Sequence, residues 1–128
     1  MVLSIIFLIL ASICNAIMDI TTHHFYQSIF IKIKNQKWWN TSDSWKNKYV
    51  NGNPKFGRVK WFFGINKPVQ LTDSWHFFKM LMIIFICVSI ITFNFVYPLY
   101  LFPILLLVYG IIWNLTFSLF YNKILSIK

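Results

Sequence analysis

The sequence predicts an all-α membrane protein: three transmembrane helices, with an aromatic-basic cytoplasmic loop between the first two. Three observations carry this. Of 128 residues, 58% are hydrophobic and only 12% charged, about half the charged share of a soluble domain. The apolar residues gather into three runs, each long enough at roughly 1.5 Å per residue to cross a hydrocarbon core of about 30 Å. All twelve Lys and Arg lie between the first and second runs or after the third. The length allows one domain at most, so residues 1–128 are read as a single membrane domain.

The first span covers about residues 2–20. It is long for the apolar core of a signal peptide and has no basic residues before it, so retention as a helix is expected over cleavage near Ala16. Neither Gly nor Pro occurs before Gly52. The helix is therefore expected to continue as an amphipathic extension to about Lys34, with Asn15, Asp19, Thr22, His23, Tyr26 and Gln27 as its polar stripe. Cys14 and Cys87 sit inside apolar runs and are read as small apolar fillers rather than a disulfide.

The loop, residues 35–72, interleaves Trp38, Trp39, Trp45, Tyr49, Trp61, Phe62 and Phe63 with Lys and Arg. Gly52, Pro54, Gly57, Gly64 and Pro68 divide it into turns, and Asn51-Gly52 suits a tight hairpin with Arg58 to Phe63 as a short strand. Cations alternating with aromatics also suit single-stranded nucleic acid. Tethered between two spans, however, the same composition describes an interfacial belt against anionic headgroups, and nucleic acid is disfavoured.

Thr72 or Asp73 is a natural N-cap for the second span, about residues 74–95. A turn at 94–98 leads to the third span, about residues 100–121, with Pro103 in its first turns. Gly110, Asn114 and Thr116 within the third span suit close helix approach or interhelical hydrogen bonds, and a homo-oligomer is admissible. The placement of the cations puts the N-terminus outside and the loop and C-terminus in the cytoplasm.

One constellation has chemical potential. Asp19 and His23 stand four apart, Asp73 and His76 three apart, and each spacing puts carboxylate and imidazole on one helical face. The two pairs are expected at the same depth on antiparallel helices. If they converge, the mixed N/O set suits zinc, iron or manganese, and a metal-bound water would point to hydrolysis of a lipid or headgroup-linked bond. His24 points off the stripe and is the weaker ligand. The bland reading is that Asp73 only caps its helix and the rest is a structural polar cluster. The competing functional reading is a non-enzymatic membrane-remodelling or interaction protein, holin-like or an accessory subunit.

The segments Met18-Asp19, His23-His24, Ser28-Ile29-Phe30, Trp38-Trp39-Asn40, Ser44-Trp45-Lys46-Asn47-Lys48-Tyr49 and Thr72-Asp73-x-Trp75-His76-x-Phe78-Lys79 carry a resemblance. Across about residues 17–80 the chain resembles a group of small uncharacterised integral membrane proteins of bacteria and their phages. That resemblance implies a membrane setting for the first two spans and their loop, and no catalytic role.

Overall fold

The computed structural model describes residues 1–93 and 96–127. Five α-helices are present among them: α1 (Val2–His23), α2 (Gln36–Trp39), α3 (Thr41–Ser44), α4 (Ser74–Ile91) and α5 (Phe102–Leu119). A wider π-type turn, Phe120–Ile124, continues α5, and short 3-10 turns fill most of the loop. Three segments, Val2–His23, Ser74–Ile91 and Leu99–Ile124, are long and apolar enough to cross a membrane. By length and composition this is a multi-pass membrane protein. Part of the turn expected at 94–98 falls on Asn94 and Phe95, which lie outside the described residues.

The central helix is α1, and both α4 and α5 pack mainly on it rather than on each other. Its sequence allows this, because Ser4, Ala11, Ser12, Cys14 and Ala16 are buried and small, and small side chains let helix backbones approach closely. Polar groups then tie the helices together. Ser4 Oγ donates to Ser89 O at 2.7 Å, Ser89 Oγ donates back to Ser4 O at 2.8 Å, and Tyr109 OH donates to Ser4 Oγ at 3.0 Å. All three long helices thus meet in one hydrogen-bonded knot. Further along, Ser12 Oγ donates to Trp113 O at 2.8 Å. No buried side-chain nitrogen or oxygen among the described residues lacks a partner.

The expected extension of the first helix to Lys34 is corrected: α1 ends at His23. Two causes act together. Thr21 and Thr22 turn their hydroxyls back onto the Ile17 and Met18 carbonyls, which competes with the helical ladder. Beyond them the chain folds back so that Phe25 and Phe30 join Ala16, Ile20 and Leu125 in the buried cluster. That turn is pinned by the C-terminal segment: Ile29 N–H donates to Leu125 O at 2.9 Å and Ile127 N–H to Gln27 O at 2.7 Å. Tyr26 and Gln27 therefore leave the polar stripe drawn on a continuous helix.

Elsewhere the expected boundaries need smaller adjustment. The second span starts at Ser74 with Asp73 as its N-cap, and its helix closes at Ile91. Pro103 occupies the first turn of α5, where its missing N–H has no intrahelical role. Asn51 and Gly52 do form a tight turn, both at positive φ (52° and 72°) and closed by Asn53 N–H to Val50 O at 3.0 Å. Over Arg58 to Phe63, where the alternation is too weak to define a strand, none forms. Isolated bridges join Tyr49 to Arg58 and Lys60 to Asn66 instead.

Ala16 is fully buried against the Phe25, Phe30 and Leu125 cluster. Ala16→Leu is expected to overpack the α1 face and destabilise the fold by about 1–3 kcal/mol, measured by unfolding in mixed micelles. Ile83→Leu, on the exposed face of α4, should leave the transition unmoved.

Candidate functional site

The site lies where the end of α1, the start of α4 and the α2–α3 segment meet. Each element is held by backbone groups that a helix end leaves unpaired. Thr41 Oγ1 donates to Thr21 O at 2.9 Å, binding α3 to the last turn of α1. Ser74 Oγ donates to Trp39 O at 3.2 Å, and Asn47 Nδ2 reaches Lys37 O at 2.7 Å and Thr72 O at 3.1 Å. Aromatic rings complete the clamp. Trp39 stacks on Phe30 at 4.4 Å between centroids, meets Trp38 edge-on at 4.9 Å, and lies 5.7 Å from Phe78 of α4. Lys79 Nζ sits 4.6 Å from the Trp75 ring centre, a cation–π contact.

Asp73 and His76 are brought together inside this clamp. The Asp73 side chain is only 3% exposed and His76 Nδ1 lies 2.8 Å from Oδ2. The same carboxylate accepts the His76 backbone N–H at 2.9 Å, as an N-cap does, and Thr72 Oγ1 lies 3.1 Å away. An ionised carboxylate accepts only, so Nδ1 carries the ring proton and Nε2 is the imidazole's other nitrogen, with its lone pair, when the ring is neutral. A pocket of about 190 Å³ lies here, lined by Thr22, Thr41, Ser44, Trp45, Asp73, Trp75 and His76. The cap of α4 and the contact with the imidazole thus share one carboxylate.

The other expected members lie at the end of α1. Asp19 is half-buried there. His23 is exposed, and His24, the weaker candidate, turns its ring edge to Tyr121 at 6.0 Å. Among the described residues, no three His, Cys, Asp or Glu side chains are gathered as a metal ion would need. Of the four residues expected to converge, Asp19, His23, Asp73 and His76, contact is shown for Asp73 with His76. Facing α3 and the start of α4, α1 presents Thr21 and Thr22. Asp73 and His76 supply two groups, where a zinc site takes three or four protein ligands. Cys14 and Cys87 are both free thiols.

Sequence reasoning missed the hydroxyl and amide clamp of Thr41, Ser74 and Asn47, whose only signal was polar residues beside helix ends. It also missed a second feature of the loop. Phe63 and Gly64 have φ of 54° and 73°, and Ile65 N–H closes on Phe62 O at 3.1 Å while Trp61 N–H meets Ile65 O at 2.7 Å. This is a two-residue turn of the kind that favours Asn-Gly, with phenylalanine in the first left-handed position. Phe63 is 100% exposed, and Trp61, Phe62 and Ile65 around it are also exposed. Lys60 Nζ, bonded to Asn66 Oδ1 at 2.9 Å, flanks the tip with Arg58 and Lys67.

No family model, curated protein or solved structure matches this chain.

Asp73→Ala is expected to remove both the cap of α4 and the partner of His76, costing about 1–2 kcal/mol. Asp73→Asn, which can still cap, should recover part of that loss. Paired unfolding curves of the two variants check the division; equal losses would mean that the cap contributes nothing.

Proposed function

We propose that this chain is a non-enzymatic membrane-interaction protein. It spans the bilayer three times, with the N-terminus outside and the loop and C-terminus in the cytoplasm. Its loop grips the anionic inner leaflet, and the aromatic turn at Phe62–Phe63 is the part that enters it. The charge distribution supports the orientation, since every Lys and Arg lies in the loop end or the C-terminal tail.

One observation carries the reading: a wholly exposed Phe63 at positive φ. A bulky residue in that region is strained by roughly 1–2 kcal/mol, and Asn or Gly would fill the turn without strain. Strained residues persist where they are used. A benzyl side chain at a turn tip is useful only where it leaves water, and the cations on both sides draw the tip to anionic headgroups, at about 1 kcal/mol each near the surface. The tip then acts as a wedge at headgroup depth, and tethering to three spans makes its entry intramolecular.

Phe63→Asn separates strain from use. The variant is expected to unfold later than wild type, by about 1 kcal/mol. In anionic vesicles it should lose the membrane contact of the loop, read by quenching of a label at residue 62 with brominated lipid. A label quenched equally in both proteins would sink the wedge.

A second reading is favoured by the Asp73–His76 geometry. A buried carboxylate that orients an imidazole beside a pocket is equipped to accept a proton from water or a hydroxyl. At the membrane surface its natural target would be a headgroup-linked ester. On this reading, purified protein in mixed micelles hydrolyses a lipid ester, and His76→Gln and Asp73→Asn each reduce the rate at least roughly a hundredfold. A rate indifferent to His76 rules that reading out.

A further inference from the structure

We infer that a second copy of this chain docks along one face of α5, centred on Gly110 and Asn114. The continuous segment Leu99–Ile124 is long and apolar enough to span a membrane, and its most apolar stretch has no buried residue. Yet Gly110, Asn114, Ser118 and Asn122 recur every four residues along it, all exposed, and so share one outward ridge. The polar groups of the inward faces behave otherwise: Ser4, Ser12 and Ser89 are buried and bonded between helices.

Asn114 stands near the middle of that segment. Its Nδ2 donates to Gly110 O at 2.9 Å, which uses one of two amide protons. Its Oδ1 has no hydrogen-bond partner among the described residues. A carboxamide facing hydrocarbon leaves an acceptor that lipid tails cannot satisfy, so the group that satisfies it must itself lie inside the membrane. The carboxamide is complementary to itself, with a partial positive N–H and a partial negative oxygen. Two copies related by a two-fold axis can exchange N–H···O bonds between their Asn114 side chains, each closing the other's open acceptor.

Gly110 is the independent observation. A Cβ placed on it would meet nothing within 4 Å, and its backbone needs no positive φ. Nothing inside the chain requires glycine there, and glycine weakens a helix interior. Its use is close approach by a backbone outside this chain, one turn from Asn114. Four-residue ridges on two such helices interdigitate at a right-handed crossing of about −40° to −50°. The inference rests on α5 being a membrane span and not on the aromatic turn.

The test is energy transfer between donor- and acceptor-labelled full-length chains in vesicles, titrated by adding lipid. Wild type is expected to associate. Asn114→Leu should weaken association roughly three- to thirtyfold. Gly110→Ile should weaken it at least as much while the helix content stays unchanged, because the added side chain meets open space. Ile83→Ala, on the exposed face of α4, should associate as wild type does. A wild-type chain that stays monomeric at high protein-to-lipid ratio overturns the inference, as does wild-type association in Asn114→Leu and Gly110→Ile.

Discussion

The rest of the structure depends on the close approach of two helices to the small-residue face of α1. Between helices in hydrocarbon there is no hydrophobic drive, because lipid tails are as apolar as the side chains they would replace. What remains is dispersion at short range and hydrogen bonds. Ser4, Ala11, Ser12 and Ala16 supply the short range, being fully buried. The Ser4–Ser89–Tyr109 knot and the Ser12 bond to Trp113 O supply the hydrogen bonds. With the backbones held there, the larger side chains of α4 and α5 turn outward, and the exposed surface becomes a coat of Ile and Leu. That coat would associate in water and is at home in lipid.

At the other end of the bundle the chemistry changes from packing to capping. Carbonyls at the ends of α1 and α2 accept from Thr41 and Ser74, and Asn47 joins Lys37 O to Thr72 O just before α4. Trp39 welds this polar clamp to the hydrophobic cluster by stacking on Phe30. The Asp73–His76 pair is thus held on both sides. Burial of the carboxylate follows from its place under the clamp, and the imidazole is oriented by Nδ1 lying 2.8 Å from both oxygens, one of which, Oδ1, also caps the helix. A site that doubles as a helix cap is rigid without further support. The aromatic turn is its opposite, since it protrudes, keeps a strained φ at Phe63 and buries nothing of its own.

How far the sequence carried these features depended on whether the cause was local. The three apolar segments were legible because length and composition alone define them, and the N-cap at Asp73 because an acid before an apolar run is a local signal. The Asn51-Gly52 turn was legible for the same reason. The end of α1 was not. Neither Gly nor Pro breaks the helix near His23; besides the Thr21 and Thr22 hydroxyls, it stops because Phe25 and Phe30 pack beside Leu125, about a hundred residues later in the chain. The error propagated, since the polar stripe that joined His23 to Tyr26 and Gln27 assumed an unbroken helix. The pairing of Asp73 with His76 survived because three residues of one helical turn fix it. The joining of that pair to Asp19 depends instead on the rotation of α1 against α4, which small buried residues set and no spacing reports.

The same solvent rule explains why two exposed features carry more meaning than the rest of the surface. In a membrane chain an exposed leucine needs no account, whereas an exposed polar group within a span and an exposed aromatic group in water each stand in the wrong medium. Every buried polar side chain among the described residues is partnered, so the fold is not careless with such groups. Asn114 on α5 and Phe63 at the turn tip are mismatched in opposite senses, one too polar for lipid and the other too apolar for water. Each mismatch vanishes on contact with something outside the chain: another helix inside the bilayer for the first, the bilayer itself for the second. The two contacts do not compete. On the proposal that chains pair along α5, both loops lie on one side and the two proposed wedges enter the same leaflet, doubling the area displaced at a single point on the membrane.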